Sequence, residues 1–270
     1  QDVIRSLNRM TDLNFVVFGG DLADNRDKKY GDLPIFVDIT TDLTIPYYVI
    51  LGDREADLDD EFTKQDFCTE FRKNGLLDRE KTYYQQEPVE NVLLIMLDTS
   101  VQGKVAGFLP KEQLEWLDNM LSKNKAKFTI IAMHHPAIIS HPLDLNEWKD
   151  FMLENYQDFI NIIKKYPQVK LVLNGHHHTN YVKNLDGTIF MSIPSVVTYP
   201  NQFKILKIFP DRIEVENKRI NFKQIVSKAK KEIIESKYAK TFNSKSSKKV
   251  LNYQEGNDFS RNKIFYFVQK

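Results

Sequence analysis

A layered α/β fold, with helices on both faces of its sheet, is predicted by three observations. Short apolar runs alternate with amphipathic helical stretches from Leu13 to Leu173. Several of those runs end abruptly in glycine, aspartate or histidine, the residues found where open α/β sheets place ligand sites. Beyond His178 the runs shorten and are joined by Leu185-Asp186-Gly187 and Pro210-Asp211 turns, so one sheet is expected to become antiparallel at its edge.

Taken in order, Val3, Leu7 and Met10 mark a first helix, and Leu13 to Phe18 a strand that runs into Gly19-Gly20-Asp21. A helical region over Gly31 to Asp42 leads to the strand Tyr47 to Leu51 and then Gly52-Asp53-Arg54-Glu55. Asp59 to Asn74 reads as an amphipathic helix stopped by Gly75. Val92 to Leu97 is a strand ending at Asp98, a lone carboxylate that suits a cap. Pro110 opens a helix with Leu114, Leu117 and Leu121 on its buried side. Phe128 to Met133 is a strand delivering His134-His135-Pro136. A helix is expected over Glu147 to Tyr166, then the strand Val169 to Leu173 and Asn174-Gly175-His176-His177-His178. Trp116 and Trp148 fall at helical spacings and read as core or interface residues.

A chain of 270 residues, 41% hydrophobic, can bury a full core. Its formal charge of +1 implies no nucleic-acid partner. The single cysteine, Cys68, excludes an internal disulfide and a cysteine-based zinc site. No apolar run is long enough for a membrane helix and no signal peptide is evident, so a cytoplasmic location is expected. Residues 1–220 are expected to form one domain. Residues 221–270 form a basic extension with a helix and a last strand near Lys263 to Val268; nine lysines face two glutamates over 223–250.

All six histidines lie between His134 and His178, and neutral imidazole is the commonest side-chain metal ligand. The series Gly20-Asp21-Leu22-Ala23-Asp24, Gly52-Asp53-Arg54-Glu55, His134-His135-Pro136 and Gly175-His176-His177-His178 resembles the calcineurin-like metallophosphoesterases. Their ordered motifs are D-x-H, G-D-x-x-D/N, G-N-H-D/E, an H-x-P-type segment and G-H-x-H. The resemblance covers about residues 1–220 and implies a four-layer α/β/β/α sandwich with mixed sheets. It also implies a dinuclear centre of divalent ions (Mn, Fe, Zn or Co) and a phosphate-ester substrate. Asp21 corresponds to the carboxylate bridging both metals, and Asp53 to the position of a ligating asparagine. His134 and His176 correspond to ligands of the same metal, and His178 to a ligand of the other. Asp24 and His135 correspond to supporting or neighbouring groups, as does His177. The implied chemistry is hydrolysis of a phosphomonoester or phosphodiester by a metal-activated water, with the two ions clamping the phosphoryl oxygens.

The chain departs from the family pattern twice. D-x-H is absent, since Asp2 has no histidine two residues on. Either the polypeptide continues upstream of Gln1, which is the expectation, or one metal has lost two ligands. Arg54 stands where the family has a histidine that can protonate the leaving group. Its guanidinium can grip phosphoryl oxygens but cannot donate a proton usefully, so Arg54 and Asp21 are the candidate catalytic residues. A salt bridge from Arg54 to Glu55 or Asp24 is the competing role for that side chain. The alternative function is a catalytically impaired binding module of the same fold, for an anionic ligand or a protein partner.

Overall fold

The computed structural model describes residues 1–23, 32–56 and 63–267. The amino-terminal part holds α1 (Asp2–Asn8), β1 (Val16–Phe18), α2 (Asp32–Thr41), β2 (Tyr47–Val49), α3 (Asp53–Ala56) and α4 (Lys64–Glu70). Then come β3 (Tyr84–Val89), β4 (Val92–Met96), α5 (Lys111–Lys123), β5 (Phe128–Met133), α6 (Tyr156–Ile163), β6 (Val169–Asn174), β7 (Tyr181–Leu185) and β8 (Thr188–Ser192). The chain continues through β9 (Gln202–Ile208), β10 (Arg212–Arg219), α7 (Lys223–Glu235), α8 (Lys237–Phe242), α9 (Lys249–Glu255), α10 (Asp258–Arg261) and β11 (Lys263–Tyr266).

Six strands form one mixed sheet in the order β3-β4-β5-β6-β8-β7. The inner pairs β4–β5, β5–β6 and β6–β8 run parallel, and the outer strands β3 and β7 are antiparallel to their neighbours. β9, β10 and β11 make an antiparallel sheet, and β1 pairs with β2 in parallel. Successive side chains of a strand point to opposite faces, and both faces of the large sheet are buried. Leu94, Met96, Ile130, Ala132 and Leu171 enter a core shared with β1, β2 and β9 to β11. Leu93, Ile95, Ile131, Met133 and Val172 pack on the other side with Leu117 and Leu121 of α5 and Phe159 and Ile163 of α6. That double burial is why these strands read as largely apolar runs, with only Thr129 and Lys170 intervening. Near β1 and β2, Phe36 of α2 meets Phe18 and Phe71 edge-on, at 4.9 and 6.1 Å between ring centres. The result is the mixed α/β architecture expected.

Three local expectations need correction. The helix anticipated over Glu147 to Tyr166 begins only at Tyr156, after one tight turn at Lys149–Phe151. The Gly107 amide donates to Met152 O at 3.0 Å and Glu154 donates to Gly107 O at 2.8 Å, which draws the intervening segment out straight. Of the helix anticipated from Asp59, residues 59–62 lie outside the described residues; the described part starts at Lys64, where Thr63 and Asp66 form a reciprocal cap. It ends in a short turn closed by Gly75 at φ 104°. β3 was not anticipated, because Gln85-Gln86-Glu87-Pro88 shows no apolar alternation; as an edge strand it tolerates a proline. Among the described residues, no helix is long and apolar enough to cross a membrane.

Candidate metal centre

Strand register brings distant parts of the sequence to one place. Met133 lies beside Asn174 in the β5–β6 pair, and beyond it the Gly175 amide donates to His134 O at 3.0 Å. Phe18 lies beside Val49 in the β1–β2 pair, and Asp21 and Asp53 follow just past those ends. The two turns touch. A Cβ on Gly52 would fall 2.1 Å from Asp21 Oδ1, so only glycine leaves that carboxylate its place.

Asp21, Asp53, His134 and His176 each turn one donor atom toward a common point, all within 4.8 Å of one another. His134 Nε2 lies 3.5 Å from Asp21 Oδ1 and 3.3 Å from Asp53 Oδ1. His176 Nδ1 lies 3.1 Å from Asp53 Oδ1 and 3.0 Å from His134 Nε2. Donors bonded to one cation at ~2.0–2.2 Å sit about 3.0–3.6 Å apart along the edges of a tetrahedron or octahedron, and these four separations fall in that range. Asp53 Oδ1 is buried without a satisfying hydrogen bond, as an oxygen reserved for a cation would be. His134 Nδ1 is 2.7 Å from Gly19 O, so that nitrogen holds the proton and Nε2 presents its lone pair inward. Nitrogen and oxygen donors without thiolate suit a divalent transition metal.

The charges support the same arrangement. Burial disfavours an ionised Asp53, but contact with His134 and His176 outweighs it and holds the carboxyl well below its ordinary range. Burial also disfavours a charged His134, yet Asp21 and Asp53 overcome it and raise that imidazole to about 9. The two carboxylates thus favour positive charge at this point.

His178, the fifth residue expected to bind metal, lies outside the group of four. Its Nδ1 is 2.8 Å from Thr198 Oγ1, while burial, partly offset by Asp21, pushes it down to about 4. With Nδ1 engaged there, Nε2 is its remaining ring nitrogen. His135 is engaged elsewhere: Nδ1 is 2.7 Å from Thr99 Oγ1 and Nε2 2.9 Å from Val105 O. His177 is buried against Tyr253 and Asp144. Arg54 is the second residue of α3, with Nε 3.9 Å from Asp53 Oδ2 and a third of its side chain exposed. Asp24 lies outside the described residues.

Sequence reasoning missed two supports. Glu55 was read only as a partner for Arg54, yet its carboxylate accepts the amides of Asp21, Ala23 and Gly52 at 2.9, 3.1 and 2.7 Å. Burial and the nearby Asp21 charge raise its pKa to about 7, against the pull of those amides. Thr198 was not singled out at all, and no local signal marks it. Asp98 caps its own turn through Ser100 N at 2.9 Å and also holds Lys64 at 2.6 Å.

Comparison with known proteins agrees with this geometry. A family model described as calcineurin-like phosphoesterase matches residues 1–180. A 3′,5′-cyclic-nucleotide phosphodiesterase of Nostoc is 29% identical over 216 residues, covering 74% of each chain. A probable glycerophosphodiester phosphodiesterase of Arcobacter nitrofigilis is 30% identical over 65% of this chain and 59% of its own. A probable cyclic nucleotide phosphodiesterase of Coxiella burnetii is 33% identical, but the match spans only 48% of that protein. Among solved structures, a dimetal phosphatase from Danio rerio superposes with a TM-score of 0.63 at 15% identity, over 80% of this chain and 84% of that one.

Proposed function

Because the chain belongs to the calcineurin-like phosphoesterase family, we propose that it is a metal-dependent phosphodiesterase with a dinuclear centre. The observation that carries this reading is the convergence of Asp21, Asp53, His134 and His176 at ligand-to-ligand spacing. These four would hold one divalent ion, and Asp21 with His178 would contribute to a second. Bound there, the metal supplies Lewis-acid polarisation of the phosphoryl oxygens and a water acidic enough to attack near neutral pH.

The chain's own groups do the rest. Gly19 O keeps the His134 proton on Nδ1, which fixes the orientation of its inward nitrogen. Glu55 gathers the Asp21 and Gly52 amides and so sets the distance between the two aspartate turns. Arg54, partly exposed beside Asp53, would donate its planar fork to two phosphoryl oxygens and stabilise charge as the pentacoordinate state forms. A guanidinium gives no proton to the departing oxygen, so leaving groups that depart as stable anions are favoured. Phosphodiesters are preferred over monoesters here because the homologues compared above carry phosphodiesterase names. Residues 221–270 belong to this reading as an extension of a 1–220 catalytic domain.

The test is Mn²⁺ calorimetry on the purified chain, with hydrolysis of bis-nitrophenyl phosphate, cyclic AMP and nitrophenyl phosphate measured in parallel. Bound metal with faster diester than monoester turnover is expected. Bound metal without hydrolysis of any ester would favour the binding-module alternative. No binding at millimolar Mn²⁺ would refute the site.

A further inference from the structure

The histidine loop is strained and is held from outside the sheet that delivers it. His176 and His178 both occupy left-handed backbone, at φ 62° and 49°. Such conformations are disfavoured for residues with side chains and persist only where surrounding contacts fix them. From its own segment the loop gains the His177 amide bond to Gly175 O at 2.8 Å. Much of the remaining hold comes from α9, some seventy residues later in the chain.

Three consecutive residues at the end of α9 do this. The Tyr253 hydroxyl lies 3.2 Å from His177 Nδ1, between the two histidines proposed to bind metal. Thr179 Oγ1 donates to Tyr253 O at 2.6 Å, and the Asn180 amide donates to Gln254 O at 3.0 Å. Glu255 reaches the other side of the site. It accepts the Tyr199 hydroxyl at 2.5 Å and Gln202 Nε2 at 3.3 Å, and Tyr199 adjoins Thr198, the partner of His178 Nδ1 at 2.8 Å. The fit is close at the following residue. A Cβ on Gly256 would lie 2.2 Å from Asn180 O, and its φ of 65° already disfavours any side chain. The aromatic packing behind this contact, with Trp148 stacked on Tyr238 at 4.4 Å, seats α8 and α9 together.

We propose that α9 of the basic carboxy-terminal segment is a working part of the metal centre. Tyr253 and Glu255 are positioning residues: one holds the His176–His178 loop, the other the Thr198 segment that orients His178. The proposal rests on the reading that these histidines receive metal. It goes further by assigning their geometry to a part of the chain outside the 1–220 domain.

The full chain and its Tyr253→Phe, Glu255→Gln and Gly256→Ala variants decide it, with amide exchange measured without metal, Mn²⁺ affinity by calorimetry, and kcat against metal concentration. In Gly256→Ala the Asn180 amide should exchange about tenfold faster, and Mn²⁺ affinity should fall about tenfold, the low end for losing an outer support of a ligand. Saturating Mn²⁺ should restore kcat, and the metal-free urea midpoints of Tyr253→Phe and Glu255→Gln should stay close to the parent's, which a merely destabilised fold would not allow. Tyr253→Phe and Glu255→Gln should show the same pattern at a few-fold scale, and they carry the test if Gly256→Ala fails to fold. Variants that bind Mn²⁺ as tightly as the parent would overturn the proposal. A parent chain that binds no Mn²⁺ would overturn the site reading itself, and the proposal with it.

Discussion

Glu55 and Asp21 are latched through each other's turns: Glu55 Oε2 accepts the Asp21 amide at 2.9 Å, while Asp21 Oδ1 accepts the amide of Arg54, next to Glu55, at 3.2 Å. One buried carboxylate thereby fixes the backbone on which a metal-facing carboxylate stands. Glu55→Gln keeps the shape but turns an amide N–H₂ toward one of three backbone donors. It should cost about 1–3 kcal/mol of stability and about tenfold in Mn²⁺ affinity. Urea unfolding and calorimetry would read both, and unchanged Mn²⁺ affinity would show that the latch has no bearing on the centre.

Asp53 tests the charge of the site. The family resemblance places asparagine at this position, so Asp53→Asn should fold and retain hydrolysis while binding Mn²⁺ about tenfold more weakly, or ~1.4 kcal/mol. Asp53→Ala removes the donor altogether and should abolish tight binding. Equal affinities for the two variants in calorimetry would mean that the side chain does not reach the ion.

Arg54→Ala should lower kcat/KM for bis-nitrophenyl phosphate by about a hundredfold, the scale of one preorganised donor. Mn²⁺ affinity should hold or improve, because a positive neighbour of Asp53 is removed. Loss of metal binding together with activity would instead make Arg54 a structural support of the Asp53 turn.

Lys204 gives the fold a pH signature away from the histidines. Burial, with the Arg261 charge adding to it, pushes this ammonium down to about 7, although Nζ donates to Ser260 O at 2.7 Å. Between pH 7 and about 10 the unfolded chain still holds the proton that the folded chain has released, so stability contributed by this residue rises with pH. Urea midpoints of the parent minus those of Lys204→Met should therefore climb from pH 7 to pH 9.5. A flat difference would mean that Lys204 stays protonated in the folded protein.

The inner strands were legible because burial on both faces leaves β4, β5 and β6 largely apolar, Thr129 and Lys170 apart, and the polar clusters after them mark where they stop. Asp21, Asp53, His134 and His176 were legible for the same reason: each lies within a few residues of a strand end. Glu55 was visible but misassigned, since a sequence does not tell whether a carboxylate will find a guanidinium or three amides. Trp148 suggested a long helix, yet the residues just after it are drawn out straight by pairing with Gly107 far upstream. Thr198 and Tyr253 could not be read at all, because their roles depend on contacts across 20 and 76 residues.

That last separation bears on how the molecule is made. A ribosome releases His176 to His178 long before Tyr253, so the loop must wait through the synthesis of β7 to α8 before its support exists. During that interval its left-handed residues keep the His177–Gly175 contact and those to Asp53, His134 and Thr198, but lack the support of α9. Nascent chains arrested just before α9 should therefore show a mobile histidine loop on an already protected β4–β5–β6 sheet, and metal capture should be among the last events of biogenesis. Pulsed exchange on such arrested chains would expose the order directly, and a loop already protected at that length would reverse it.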